Sequence, residues 1–148
     1  MESVSIHIKP FHELTIDELY ELLRVRAEVF VVEQDCPYQD LDGNDLKAMH
    51  LFVLENREVV ACLRVFLKED GNATIGRVVT AWKVRGTGLG KKMMLEGIGI
   101  SKRLFGRTPI VIHAQCQARG FYEKCGFVVS SGEFLEDGIP HVEMTFTF

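Results

Sequence analysis

The run Arg85-Gly86-Thr87-Gly88-Leu89-Gly90 constrains this chain more than any other stretch. Before it lies Ala73 to Trp82, where Thr74, Ile75, Val78, Val79 and Thr80 predict a strand. After it, Leu89, Met93, Met94, Ile98 and Leu104 fall on or near one face of a long helix. That helix starts near Gly88 and stops at Phe105-Gly106, with Pro109 beyond. The first N–H groups of a helix have no intrahelical partner, and the macrodipole favours an anion there. Glycines let the main chain approach a phosphate closely, and Arg85, Lys91 and Lys92 add positive charge. The local chemistry is therefore that of a phosphate cradle. A P-loop needs four residues between its first glycine and the Gly-Lys pair, followed by a hydroxyl; here the gap is three and Lys92 follows. A dinucleotide fingerprint needs Gly-x-Gly-x-x-Gly, whereas this chain has Gly86-x-Gly88-x-Gly90. Spacing excludes both. A plain glycine-rich turn ahead of a helix is the competing reading.

The other elements alternate along the chain without repeats or linkers, which predicts one domain over residues 1–148. Val4 to Lys9 reads as a strand closed by Pro10. Thr15 and Glu18 form a capping box, Leu14 and Leu19 a staple, for a helix running to about Phe30. Glu33 to Asp45 reads as an acidic loop with one short helix. Leu51 to Glu55 and Val59 to Leu67 form a hairpin through Asn56-Arg57. Ile110-Val111-Ile112 suits a strand buried on both faces. A short helix spans Ala118 to Cys125. Strands at Phe127 to Ser131 and Val142 to Phe148 close the chain around a turn at Asp137 to Pro140. The class is mixed α/β, an antiparallel meander feeding a β–α–β unit.

Composition narrows the function classes. Net charge is −4, so no chain-wide basic surface serves nucleic acid. Cys36, Cys62, Cys116 and Cys125 form no CxxC pair, and no His/Cys spacing resembles a zinc site. Asp40-x-Asp42-Gly43-Asn44-Asp45 is not an EF-hand, because the glycine comes too early and Leu51 stands where a Glu is needed. Met1-Glu2-Ser3 opens acidic with no apolar run behind it, and no stretch is long enough to span a membrane. We expect a cytoplasmic protein with free thiols, no membrane partner and no metal.

Arg85-x-x-Gly88-x-Gly90 resembles the acetyl-CoA signature of the GNAT superfamily of N-acetyltransferases. A second segment, Gln115 to Phe127, resembles that superfamily's other hallmark. Tyr122 opens a Tyr-x-x-x-Gly-Phe run, Ala118 matches the family's small residue, and Gln115 departs from its frequent Asn. Phe30 to Gln34, Cys36 to Asp40, Asp42-Gly43, His50 and Glu136 to His141 resemble the ElaA-like branch. The resemblance covers most of the chain. It implies the GNAT fold: a mixed central sheet with an antiparallel N-terminal meander and a parallel pair around a splay, flanked by helices. It also implies direct acetyl transfer from acetyl-CoA to a primary amine of a small molecule or peptide, in a ternary complex. Homodimers are common in that superfamily.

By the same resemblance, Arg85, Gly86, Thr87, Gly88, Leu89, Gly90 and Lys91 hold the diphosphate. The main chain of Val78, Val79 and Thr80 pairs with the pantetheine arm, and Gln115 adds a side-chain contact. Tyr122 occupies the general-acid position facing the sulfur; its bland alternative is a packed core tyrosine. A neutral amine must form before attack, since an alkylammonium has a pKa of about 10.4. Glu33 is the first candidate for the proton acceptor, and His50 and His113 are further candidates. Glu33, Asp35, Asp40, Asp42 and Asp45 read as an acidic rim that draws in a cation, or as a solvated loop. His141 reads as structural or as part of the substrate rim. Cys116 lies near the second hallmark, but nothing nearby would activate its thiol. The alternative to an enzyme is a non-catalytic module of this fold that binds acetyl-CoA as a sensor or scaffold.

Overall fold

The computed structural model describes residues 4–148. Met1-Glu2-Ser3, read above for the absence of a leader, lies outside the described residues. Strands β1 (Val4–Pro10), β2 (Met49–Glu55), β3 (Glu58–Leu67) and β4 (Ala73–Thr80) form an antiparallel meander. β5 (Ile110–Gln115) then lies parallel to β4, and β8 (Ile139–Phe146) pairs antiparallel with β5. β6 (Val128–Val129) and β7 (Phe134–Glu136) both pair with β8. The sheet order is β1-β2-β3-β4-β5-β8-β6, the mixed sheet expected.

Helix α1 (Ile16–Arg26) begins with the expected capping box: Thr15 Oγ1 accepts from the Glu18 N–H at 3.1 Å, and Glu18 accepts from the Thr15 N–H at 2.9 Å. It does not run on as α-helix to Phe30. Residues Ala27–Glu33 widen into a π-helix, visible in the 3.1 Å bonds from Gln34 N to Val29 O and from Cys36 N to Val31 O. The hairpin turn holds Asn56 and Arg57 at φ 50° and 68°, so both central residues adopt the left-handed region. Helix α2 (Leu89–Phe105) buries Met93, Met94, Ile98 and Ile100, while Leu104 lies on its exposed side. α2 packs on the sheet face that carries Leu63 and Ile75: a Cβ at Gly97 would lie 3.1 Å and 3.4 Å from them. Ile110, Val111 and Ile112 are buried together, as their continuous apolar run predicts. The closing strands differ from expectation. The hairpin turns at Asp137-Gly138 between β7 and β8, and β6 is reduced to two residues. Short helix α3 (Arg119–Lys124) lies between β5 and β6, and 3-10 turns stand at Phe11–Glu13, Asn44–Lys47, Trp82–Val84 and Cys116–Ala118.

Two features open the sheet in its middle. β4 and β5 pair only at Ala73–Ile110, so beyond that point the two parallel strands diverge. β4 is also bulged. Between the pairs Arg64–Gly76 and Cys62–Val79 it spends one more residue than β3, and Arg77 takes φ 49° there. A bulge bends its strand and increases local twist, which steers the end of β4 away from β5. A non-glycine residue in that conformation is unfavourable by about 1–3 kcal/mol unless its surroundings hold it. Asp40 supplies the hold, accepting from Arg77 Nε at 2.7 Å and, through its carbonyl, from Arg77 NH2 at 2.9 Å.

Candidate active site

The divergence of β4 and β5 leaves a cleft of about 410 Å³. The π-helical turn contributes Val29, Phe30, Glu33 and Gln34 to its wall, β4 contributes Ile75 to Thr80, and β5 contributes Ile112, His113 and Gln115. Tyr122, Glu136 and His141 also line it. Thus Val78, Val79, Thr80, Arg85, Gln115, Tyr122 and Glu33 meet around one space. Gly86, Thr87, Gly88, Leu89, Gly90 and Lys91 do not line it; they stand beside its rim, at the start of α2.

That loop is built for an anion. Gly86 and Gly88 sit at φ 77° and 84°, a region that side chains with a Cβ rarely enter. Thr87 fixes the turn by donating its hydroxyl to Val84 O at 2.6 Å. α1 caps its own N-terminus with a carboxylate, but α2 has no side-chain cap and no acidic residue in its first turn. Its first intrahelical bond is Lys92 N to Gly88 O, which leaves the N–H groups of Gly90 and Lys91 without an intrahelical acceptor. The two segments singled out by sequence also touch. A Cβ at Gly90 would lie 3.5 Å from Thr80 and 3.6 Å from the Phe121 ring, next to Tyr122.

Arg85 links the loop to the cleft. Its Nε donates to Thr80 O at 3.0 Å, and its terminal nitrogens reach Glu33 at 2.8 and 3.1 Å. The candidate base and the candidate phosphate ligand are thus ion-paired with each other. Gln115 faces Gln34 across the opening. Gln115 Nε2 donates to Gln34 Oε1 at 3.1 Å, and Gln117 Nε2 donates to Gln115 Oε1 at 2.8 Å. Tyr122 packs edge-on against Phe121 and Phe127. Burial, with a smaller contribution from Cys125, raises its phenol pKa well above the ordinary value, so the hydroxyl stays protonated at any physiological pH.

The histidines separate. His50 is buried outside the cleft, with Nε2 2.9 Å from Asp45 O, and burial lowers its pKa. It is a structural residue. His113 lines the cleft, 2.8 Å from Glu136, and His141 lies 3.5 Å from the other oxygen of the same carboxylate. Cys116 is not an activated thiol: burial first, then Glu133, raises its pKa.

The acidic rim requires correction. Asp40, Asp42 and Asp45 do not present free charge to an incoming cation. Arg26, Arg64 and Arg77 pair with them at 2.6–3.0 Å. Tyr38 donates to Asp40 at 2.6 Å, and its own pKa is raised by burial and by that bond. The network ties residues 38–45 to α1, β3 and β4 instead of leaving a solvated loop. Sequence reasoning missed Gln34, Arg77 and Glu136 as lining residues. Glu136 had a signal, since it opens the Glu136-to-His141 segment beside the candidate turn; Arg77 had none, because an arginine inside a β-rich run carries no mark of a bulge.

A family model described as an acetyltransferase (GNAT) domain matches residues 16–148. The chain is 38% identical over 136 residues to the protein ElaA of Escherichia coli, covering 89% of each chain. It is 39% identical over 146 residues to a protein of Schizosaccharomyces pombe, covering 97% of each. Its structure superposes on that of an acyl-CoA N-acyltransferase from Pseudomonas aeruginosa with a TM-score of 0.91 at 39% identity, covering 97% and 99% of the two chains.

Proposed function

Since the chain belongs to the GNAT acetyltransferase family, we propose that it transfers acetyl from acetyl-CoA to a primary amine by direct attack while both substrates are bound. The observation that carries this reading is the split sheet: an unpaired edge of β4 and an uncapped, cationic helix start border one cleft that holds a protonated tyrosine. The main chain of Val78 to Thr80 offers strand-like hydrogen bonds to the amides of the pantetheine arm. The N–H groups at Gly88 to Lys91, with Arg85 and Lys91, suit the diphosphate. Gln115, at the end of β5, is placed to contact the arm from the other side of the cleft.

Glu33 accepts a proton from the ammonium in this scheme. The freed nitrogen attacks the thioester carbonyl, the C–N bond forms, and the C–S bond breaks. Tyr122 directs its O–H at the sulfur. An ordinary thiol has a pKa near 8.5, about 1.5 units or more below this phenol, so Tyr122 first stabilises the developing thiolate by hydrogen bonding. The proton lost from nitrogen on amide formation restores the thiol. The Arg85–Glu33 pair couples the two half-sites: a diphosphate that draws Arg85 to the loop releases the Glu33 carboxylate for proton transfer.

Free thiol released from acetyl-CoA in the presence of a panel of primary amines tests this. Acceptor-dependent release is expected; firm acetyl-CoA binding with no such release from any amine contradicts transfer and leaves a binding module. Glu33→Gln separates its two roles. Turnover should fall by roughly 10²-fold at neutral pH. Acetyl-CoA should bind several-fold tighter, because Arg85 no longer has a competing carboxylate. Unchanged turnover with an unchanged pH–rate profile removes Glu33 as the base.

A further inference from the structure

We infer that the corner formed by Glu136, His113 and His141 is the entry to the acceptor end of the cleft and captures the ammonium group of an alkylamine before Glu33 takes its proton; this rests on the acyl-transfer reading above.

The charges in the cleft are mostly already paired. Glu33 is held by Arg85, and Arg77 by Asp40. Glu136 is different. Among the described residues its carboxylate has no Lys or Arg within ion-pair distance, and its neighbours are the two imidazoles. The steering charge assigned by sequence to the 33–45 stretch therefore stands here, at the turn between β7 and β8.

Hydrogen-bond accounting gives the chemistry that this corner suits. His141 is buried, and its Nδ1 lies 2.7 Å from the Ile139 carbonyl, which can only accept. Nδ1 therefore carries a proton. The Nε2 of the same ring lies 3.5 Å from Glu136 Oε2, and the two atoms make no hydrogen bond with each other. The other carboxylate oxygen accepts from His113 Nδ1 at 2.8 Å. The corner therefore presents the carboxylate oxygen Glu136 Oε2 beside the buried ring nitrogen His141 Nε2, with no hydrogen bond to either from the described residues. An ammonium carries three donors and one positive charge, and so answers the carboxylate and can also donate to Nε2 of the Nδ1–H tautomer. An alcohol supplies one donor and no charge.

Access agrees with this assignment. A second hollow of about 460 Å³ shares Gly76, Arg77, His113 and Glu136 with the first. Both spaces border Gly76, where a Cβ would find nothing within 4 Å. His113 and Glu136 line both hollows, whereas Arg85 lines only the first, so the corner is open to an amine on the side away from Arg85. Ile139 lines the first space beside His141, and Phe134 packs against both imidazoles, which gives the corner an apolar backing for an alkyl chain.

The probe is hexylamine, with hexanol as its uncharged twin, titrated into protein saturated with coenzyme A while the ring resonances of His113 and His141 are followed by NMR. Hexylamine is expected to shift both rings and hexanol neither. Glu136→Gln keeps the side-chain shape and removes the charge. It should weaken hexylamine binding about tenfold or more and leave coenzyme A affinity unchanged, which also verifies that the variant is folded. Equal responses to hexylamine and hexanol, or full hexylamine affinity in Glu136→Gln, overturn the assignment. Hexylamine shifts without thiol release from any amine sustain the ammonium site and sink the transfer reading. Amine-dependent thiol release with an unaltered KM for the amine in Glu136→Gln does the reverse.

Discussion

Tyr122→Phe is expected to lower kcat by roughly 10²- to 10³-fold, the usual cost of removing one donor aimed at a developing anion, while acetyl-CoA affinity stays within about a factor of two. The substitution removes one oxygen and keeps the ring. Packing against Phe121 and Phe127, at centroid distances of 5.2 and 5.9 Å, survives it. Burial and Cys125 act on the Tyr122 hydroxyl and no described group hydrogen-bonds it, so its loss leaves no partner unsatisfied inside the protein. A purely packing role thus predicts near-wild-type turnover, and the proposed role predicts a selective loss of kcat. Thiol-release kinetics with a saturating amine, together with a coenzyme titration, separates the two outcomes.

Asp45→Ala is expected to destabilise the fold by about 3 kcal/mol, towards the low end for breaking a buried ion pair. Asp45 receives Arg26 through two bonds of 2.9 and 3.1 Å and Arg64 through one of 3.0 Å, and all three side chains are under 10% exposed. Removing the carboxylate leaves two buried guanidinium groups partly uncompensated. Asp40 and Asp42 keep some of their bonds, which is why the upper end is not expected. Such a loss is a large share of an ordinary domain's stability, about 5–15 kcal/mol. Acid sensitivity follows from the same network. Burial alone would raise the pKa of Asp45 and of Asp42, but the arginines outweigh it and lower both. The folded values therefore lie below the unfolded value of about 3.9. The stabilisation is fully present above about pH 4 and is lost as pH falls through the folded values. Urea unfolding at pH 7 and pH 3 should show a steep acid loss for the wild type and a shallower one for Asp45→Ala. Equal acid slopes contradict the argument.

Local signals were readable because local geometry causes them. Thr15 and Glu18 cap α1 through contacts three residues apart, Asn56-Arg57 turns one hairpin, and Gly86 and Gly88 take the backbone conformations that only glycine enters freely. The two hallmark segments also meet in space, at Gly90 and Phe121. The rest depends on pairs far apart in the chain. Arg26 and Asp40 are 14 residues apart, and Arg77 and Asp40 are 37 apart. No periodicity records that an acidic stretch will be neutralised by arginines from three other elements, so a paired network looks the same as a charged rim. The π-helical turn at Ala27–Glu33 and the bulge at Arg77 belong to the same class: each is a local departure imposed by tertiary contacts. Nothing near His113 in the sequence announces its carboxylate partner, because Glu136 is 23 positions away.

The central claim is that the main chain at the start of α2 and the edge of β4 bind an acyl-CoA. Titration calorimetry of the folded protein with acetyl-CoA tests it most directly, with Arg85→Ala as the comparison. The account predicts saturable one-site heat for the wild type and an affinity about tenfold or more weaker for Arg85→Ala, as the loss of a charge-assisted contact to a phosphate requires. No heat from a folded sample at millimolar acetyl-CoA contradicts it.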